Sequence, residues 1–285
     1  MQKRNRPLID AHVHVWTSNT ARYPLATPYT VKDMVPSVFT PEDLFSHCHL
    51  ERVGRVTLIQ MYFYRYNNSY MLDSIARFPD VFRGVAVIDE TASNAPALMR
   101  TMAEKGVRGF RLFALEKPAE KFFASDGMHR MWQAGAKQNL SMCVLINPED
   151  LPIVDGLCTR YPDTPVVVDH FARIGMKGPI RNEDLDALCR LARFKRVHVK
   201  VSAFYALGKK RPPYLDLASM IRRVRDAFGA ERLMWASDCP FQVDLIRHDH
   251  NYHDSISLIR DRLDFLTPDD REWMLRKTAE KVFFS

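Results

Sequence analysis

The chain has 285 residues, 46% hydrophobic and 26% charged, which is the make-up of a globular protein, and no apolar run is long enough to span a bilayer. A formal charge of +7, with basic residues spread among acids and no basic tract interleaved with aromatics, speaks against nucleic acid and suits a small anionic substrate. Five cysteines without a C-x-x-C pair suggest reduced thiols, and the basic N-terminus leads into a polar strand and not a signal sequence, so a cytoplasmic protein is expected.

The first element, Leu8 to Trp16, reads as a strand. At a period of two, Ile9, Ala11, Val13 and Val15 make an apolar face, and Asp10, His12, His14 and Trp16 a mostly polar one. Imidazoles two residues apart on a strand point the same way and can reach one metal ion or one substrate oxygen. Residues 17–40 form a long proline-containing loop of the kind that carries function. Thr40-Pro41-Glu42-Asp43 is a helix start, with the helix running to about Arg52 and ending at Gly54.

Strand and helix then alternate. Strands are expected at 55–62, 82–89, 107–113, 141–147, 164–170, 197–202 and 233–238. Helices are expected at 68–78, 95–105, 127–138, 148–161, 181–192 and 214–228, and from about 254 and 267. Eight such units with nearly continuous apolar strands predict an α/β protein, a single (β/α)8 TIM barrel over residues 1–285. An open doubly wound sheet is the alternative, but no G-x-G-x-x-G follows the first strand.

In a (β/α)8 barrel the active site lies at the carboxyl ends of the strands. Those ends here carry His12 and His14, Gln60 and Tyr62, Arg111, Asn147, Asp169 and His170, Lys200 and Ser202, and Asp238. Burying so many polar groups at one rim is costly unless they pair or bind something. His12, His14, His170 and Asp238 make a plausible set for one divalent metal, zinc by donor type. Asp238 could instead be a general base beside imidazoles that polarise a carbonyl, with no metal needed, or simply cap the turn at Cys239-Pro240. His198 reads as a core histidine, and His248, His250 and His253 as a surface cluster.

The segments Asp10-Ala11-His12-Val13-His14-Val15-Trp16, Leu58-Ile59-Gln60, Gly109-Phe110-Arg111-Leu112, Val168-Asp169-His170, Lys200-Val201-Ser202 and Met234-Trp235-Ala236-Ser237-Asp238-Cys239-Pro240 resemble the amidohydrolase-related (amidohydrolase 2) branch of the amidohydrolase superfamily. The nearest subgroup is the lactonases that include 2-pyrone-4,6-dicarboxylate lactonase and sugar-lactone hydrolases. The resemblance implies a distorted barrel and a hydrolase that opens a small carboxylated or sugar lactone. His12, His14 and His170 match the family's histidines, Asp238 its catalytic aspartate, and Arg111 an arginine for a substrate carboxylate. Gln60, Tyr62 and Lys200 complete the expected substrate contacts, with pairing to a neighbouring carboxylate such as Asp169 the alternative for Lys200. A metal-dependent decarboxylase of an aromatic or enol acid is the alternative on the same scaffold. The chain has no second rim histidine where Lys200 stands and no bridging lysine at the end of the fourth strand. Both departures point away from a binuclear centre and towards the subgroup in which metal dependence varies.

Overall fold

A computed structural model describes residues 6–113, 118–243 and 249–285. Eight parallel strands, β1 Leu8–Val13, β2 Val53–Ile59, β3 Phe82–Ala86, β4 Val107–Phe113, β5 Ser141–Leu145, β6 Val166–Val168, β7 Val197–Ser202 and β8 Leu233–Ala236, follow one another in sheet order. Helices α1 Pro41–Cys48, α2 Ser69–Arg77, α3 Ala95–Glu104, α4 Ala119–Phe123, α5 Asp126–Gln138, α6 Leu151–Arg160, α7 Asn182–Arg190 and α8 Ala218–Phe228 lie between them. After β8 come α9 Tyr252–Ser257, α10 Pro268–Glu272 and α11 Thr278–Phe283. This is the (β/α)8 barrel that the alternation predicts; α4 is a short extra helix before α5.

The sheet closes between the last residues of β1 and the segment just past the end of β8. The Asp238 amide donates to the His12 carbonyl at 2.9 Å and the His14 amide to the Cys239 carbonyl at 2.8 Å. The Asp10 carboxylate completes the seam, accepting from the Ser237 amide at 2.9 Å and the His12 amide at 3.1 Å. Its second oxygen takes the Tyr252 hydroxyl at 2.7 Å.

The strict two-residue alternation expected of β1 breaks here. Its register against β2 shifts between Asp10 and Val13. Ile9 and Ala11 lie in the barrel interior with Ile59, Cys143, Val167 and Met234, whereas Val13 and Val15 pack into the outer layer under the helices. The irregularity re-aims the strand, as bulges do, so that His12 and His14 also face the centre. Asp10 then serves the amides that the break leaves without ladder partners. Trp16 is buried in an aromatic cluster with Phe39 and Phe63, its indole donating to the Pro36 carbonyl at 2.8 Å.

The start of α1 follows the sequence pattern: Thr40 and Asp43 form a reciprocal cap and Pro41 opens the helix. Its end does not. A single tight turn after Cys48 stops at Arg52, which takes a left-handed φ of 63°, and Gly54 already lies inside β2. Gly54 is small because Pro7 crosses over it; a Cβ there would sit 2.7 Å from the proline Cβ.

Below the polar layer the interior is closed by Ala279 and Phe283 of α11. His198 is buried on β7, as expected of a core histidine; burial pulls its pKa down to about 4.

Candidate active site

Two site strands end sooner than their sequence suggests. The β6 ladder stops at Val168, and His170, Phe171, Ala172 and Arg173 then follow with φ of 52°, 52°, 53° and 60°. The β8 ladder stops at Ala236, and Asp238 has a φ of 63°. Left-handed backbone is costly for residues with a Cβ and tends to cluster at functional sites. Here it turns His170 and Asp238 over the mouth of the barrel, towards β1.

Asp238 Oδ1 lies among three imidazoles: 3.4 Å from His12 Nε2, 3.5 Å from His14 Nε2 and 3.7 Å from His170 Nε2. The two β1 imidazoles are themselves 3.2 Å apart at Nε2. Tetrahedral donors about 2.0–2.2 Å from a zinc ion would be separated by roughly 3.3–3.6 Å, which is the spacing of His12, His14 and Asp238; His170 is a further donor of the right chemistry, near Asp238 but outside that close trio. The far ring nitrogens are also engaged. His14 Nδ1 meets the Ile59 carbonyl at 2.8 Å, His170 Nδ1 the Ser202 hydroxyl at 2.7 Å, and His12 Nδ1 the Lys200 ammonium at 3.1 Å.

Burial lowers the pKa of all three histidines, with the charge on Lys200 adding to the effect at His12. The imidazoles are therefore neutral near pH 7. Burial alone would raise the Asp238 pKa, but the surrounding imidazoles outweigh it and hold the group below the usual carboxylate range. Its other oxygen accepts the Tyr205 hydroxyl at 2.8 Å. Burial and the Asp238 charge push the Tyr205 phenol well above its ordinary value, so it stays a donor. Tyr205 lies in the turn after β7, and no spacing in Val201-Ser202-Ala203-Phe204-Tyr205 marks it; only the fold brings it to Asp238.

Arg111 reaches the same centre from β4. It donates to the Gln60 carbonyl at 3.1 Å, and its buried Nε has no hydrogen-bond partner among the described residues. With Gln60, Tyr62, Arg65, Phe113 and Met128 it lines a cavity of about 70 Å³ whose walls include neither the imidazoles nor Asp238. The Gln60 amide is committed to the Arg65 and Asn67 carbonyls, and the Tyr62 hydroxyl to the Asp33 carbonyl. Both shape the wall more than they offer free donors. Phe241 stands edge-on to His14 with ring centroids 5.5 Å apart.

Lys200 does not stand where a substrate contact was expected. It is wholly buried, its ammonium 2.9 Å from Asp169 Oδ1 and 5.6 Å from the Phe283 ring centroid. The reason is its register: β7 places Lys200 one pleat below the rim residue Ser202, among charges that already satisfy it. Among the histidines outside the centre, His250 meets the Tyr214 hydroxyl at 2.8 Å and His253 pairs with Glu51 at 2.7 Å on the surface; His248 lies outside the described residues.

A barrel whose carboxyl mouth gathers three imidazoles and a carboxylate defines a (β/α)8 enzyme with a His3Asp centre. The chain belongs to the amidohydrolase family, whose profile matches residues 9–284. It is 29% identical over 239 residues to an L-fucono-1,5-lactonase of Burkholderia ambifaria, covering 81% of this chain and 80% of the relative. It superposes with a TM-score of 0.80 and 20% identity on a probable 2-pyrone-4,6-dicarboxylic acid hydrolase from Acinetobacter baumannii with citric acid bound, covering 98% of this chain and 99% of that one. A zinc-bound amidohydrolase from Burkholderia multivorans gives 0.80 at 21% identity, with the same coverage of both chains.

Proposed function

We propose that this protein is a lactonase, a hydrolase that opens a small lactone by water attack on the ester carbonyl. The observation that carries the reading is the carboxylate of Asp238 held among three neutral imidazoles at the mouth of the barrel. The lactonase relative and the pyrone hydrolase-like structure support the same chemistry.

His12, His14, His170 and Asp238 would hold one zinc ion, which when bound polarises the lactone carbonyl. The chain's own residues do the rest. Asp238 Oδ1 accepts a proton from the attacking water, while Tyr205 keeps Oδ2 occupied and the carboxylate oriented. If no metal is held, His170, backed at Nδ1 by the Ser202 hydroxyl, is the imidazole that would face the carbonyl oxygen as negative charge builds there. The C–O bond to the ring oxygen breaks, and that oxygen receives the proton held by Asp238 as it leaves. Arg111 binds a carboxylate or similar anion on the substrate and so turns the ester carbonyl towards the imidazoles; Gln60 and Tyr62 close the cavity wall.

A panel of carboxylated and neutral sugar lactones, read by acid release, tests the proposal. Turnover of at least one lactone, absent in Asp238→Asn, is expected. Release of carbon dioxide from aromatic or enol acids, with every lactone left intact, would replace it by the decarboxylase reading.

A further inference from the structure

We infer that the cavity beside Arg111 is a subsite for an apolar arm of the substrate. Resting on the reading of the site as lactone-opening, this narrows the substrate class: a lactone with an acid group and a hydrocarbon substituent of about five heavy atoms, and not one with the hydroxylated chain of a sugar. The cavity lies at the carboxyl ends of β2, β3 and β4, the same end of the barrel as the catalytic centre. Gln60 and Tyr62 come just past β2, Val87 and Ile88 just past β3, and Arg111 to Phe113 from the end of β4, while Met128 and Met131 reach it from α5. Arg111 links it to the centre. The guanidinium donates to the Gln60 carbonyl at 3.1 Å, and the Ile59 carbonyl, one residue earlier, meets His14 Nδ1 at 2.8 Å. An acid group held by Arg111 is thus next to the imidazoles and next to the cavity at once.

The lining decides what fits. Val87, Ile88, Leu112, Phe113, Met128 and Met131 give walls of carbon and thioether. The polar side chains among them are already used. Gln60 spends its amide hydrogens on the Arg65 and Asn67 carbonyls, Tyr62 gives its hydroxyl to the Asp33 carbonyl, and Arg65 and Glu90 have partners of their own. Arg111 keeps an unmatched donor, its buried Nε. Sugar hydroxyls placed here would leave water for carbon with their hydrogen bonds unmade, which is costly. Methylene groups would gain by the same transfer. A single water needs roughly 10–15 Å³, so a space of about 70 Å³ admits about five heavy atoms. The two methionines, unbranched and adaptable, let the wall follow arms of differing shape.

Binding of simple carboxylates tests the subsite without turnover, so it and the lactonase reading can fail separately. Calorimetric titration of the protein with acetate, butyrate and hexanoate is expected to show affinity rising roughly fourfold for each added methylene, the gain from burying one, and levelling off by octanoate. Gluconate, which has the carbon count of hexanoate but carries hydroxyls, is expected to bind no better than acetate. A flat series, or gluconate equal to hexanoate, would overturn the inference.

Variants place the two ends of the ligand. Ile88→Phe fills the cavity, and Met131→Gln sets an amide in its wall at nearly unchanged volume. Each is expected to weaken hexanoate about tenfold or more and to leave acetate unchanged. Hexanoate bound at wild-type strength by both would put the tail elsewhere and end the proposal. Arg111→Met is expected to weaken every acid of the series alike, by about tenfold or more, since a charged hydrogen bond is lost. A series unchanged in Arg111→Met would put the acid group elsewhere, with the same consequence. Should a variant not fold, the comparison of hexanoate with gluconate on the wild-type protein still decides.

Discussion

Strands β4 and β7 each send a long cation into the barrel, and the two cations meet opposite circumstances. Lys200 on β7 is buried against Asp169 and His12, with no surface exposed. Arg111 on β4 forms no ion pair among the described residues; it holds one backbone carbonyl and lines a cavity. A charge satisfied inside the protein is part of the structure. A charge left with open hydrogen-bonding capacity beside a cavity is available to a ligand. The same positive charge thus divides into scaffold and recognition according to what the neighbouring segment supplies: the turn after β6 supplies the Asp169 carboxylate to Lys200, whereas β5 supplies Cys143 opposite Arg111.

Substitutions can break or sharpen this contrast. The largest effect is expected at the anion held among the imidazoles. Asp238→Asn should lower kcat by roughly a hundred- to ten-thousandfold, the usual contribution of a general base, with the fold retained in circular dichroism. A loss below tenfold would mean that Asp238 orients the site without taking the proton. Next is Lys200→Met, which leaves Asp169 charged and alone in the interior. A broken buried pair costs about 3–5 kcal/mol, and urea unfolding should show that loss. A stable, active Lys200→Met protein would erase the distinction between the two cations.

Arg111→Met should do the reverse. Little stability should be lost, because no buried carboxylate is stranded, while kcat/KM on an anionic lactone should fall about ten- to a hundredfold, corresponding to about 1.5–3 kcal/mol for a charged hydrogen bond. A neutral sugar lactone of similar size should be much less affected. Equal losses on both substrates would make Arg111 structural and move the substrate preference to neutral sugars.

The smallest effect concerns Asp10, a buried anion with three donors but no cation. Burial raises its pKa to about 6 despite those hydrogen bonds. A raised folded-state value means that the folded protein holds the proton more tightly. Its contribution to stability is complete below the unfolded value near 4 and is lost as pH rises towards 6. In Asp10→Asn that loss is absent, so the Tm difference between variant and wild type should shift in the variant's favour from pH 4 to pH 7. A constant difference across that range would show that Asp10 is ionised at no cost.

Much of this was legible in the sequence because it is periodic. The eight strands announce themselves as apolar runs, the caps of α1 and α10 as Thr-Pro-acid-acid, and the rim by polar residues that end those runs. His12, His14, His170 and Asp238 were readable for that reason, and the fold brings them together. What escaped was set by breaks in period or by distant contacts. The shift in β1 depends on Asp10 bonding to Ser237, 227 positions away. Tyr205 reaches Asp238 from a turn whose left-handed Ala203 has no marker in residue type. Gly54 looked like a helix stop because glycine serves both as a cap and as a point of close approach, and only the crossing of Pro7 decides between them.

The β1–β8 seam has a kinetic meaning as well. Its bonds join residues near 10–14 to residues near 237–239, so they close a loop that takes in most of the barrel. Contacts of such sequence separation carry a large entropic cost before they return any stabilisation, and topologies rich in them fold slowly. His12 and His14 lie on one side of this seam and Asp238 on the other. The centre can exist only once the seam has formed. A partly folded chain, with strands paired from β1 to β7, would carry its buried cation and all three imidazoles and still lack the carboxylate, so activity should be the last property recovered on refolding.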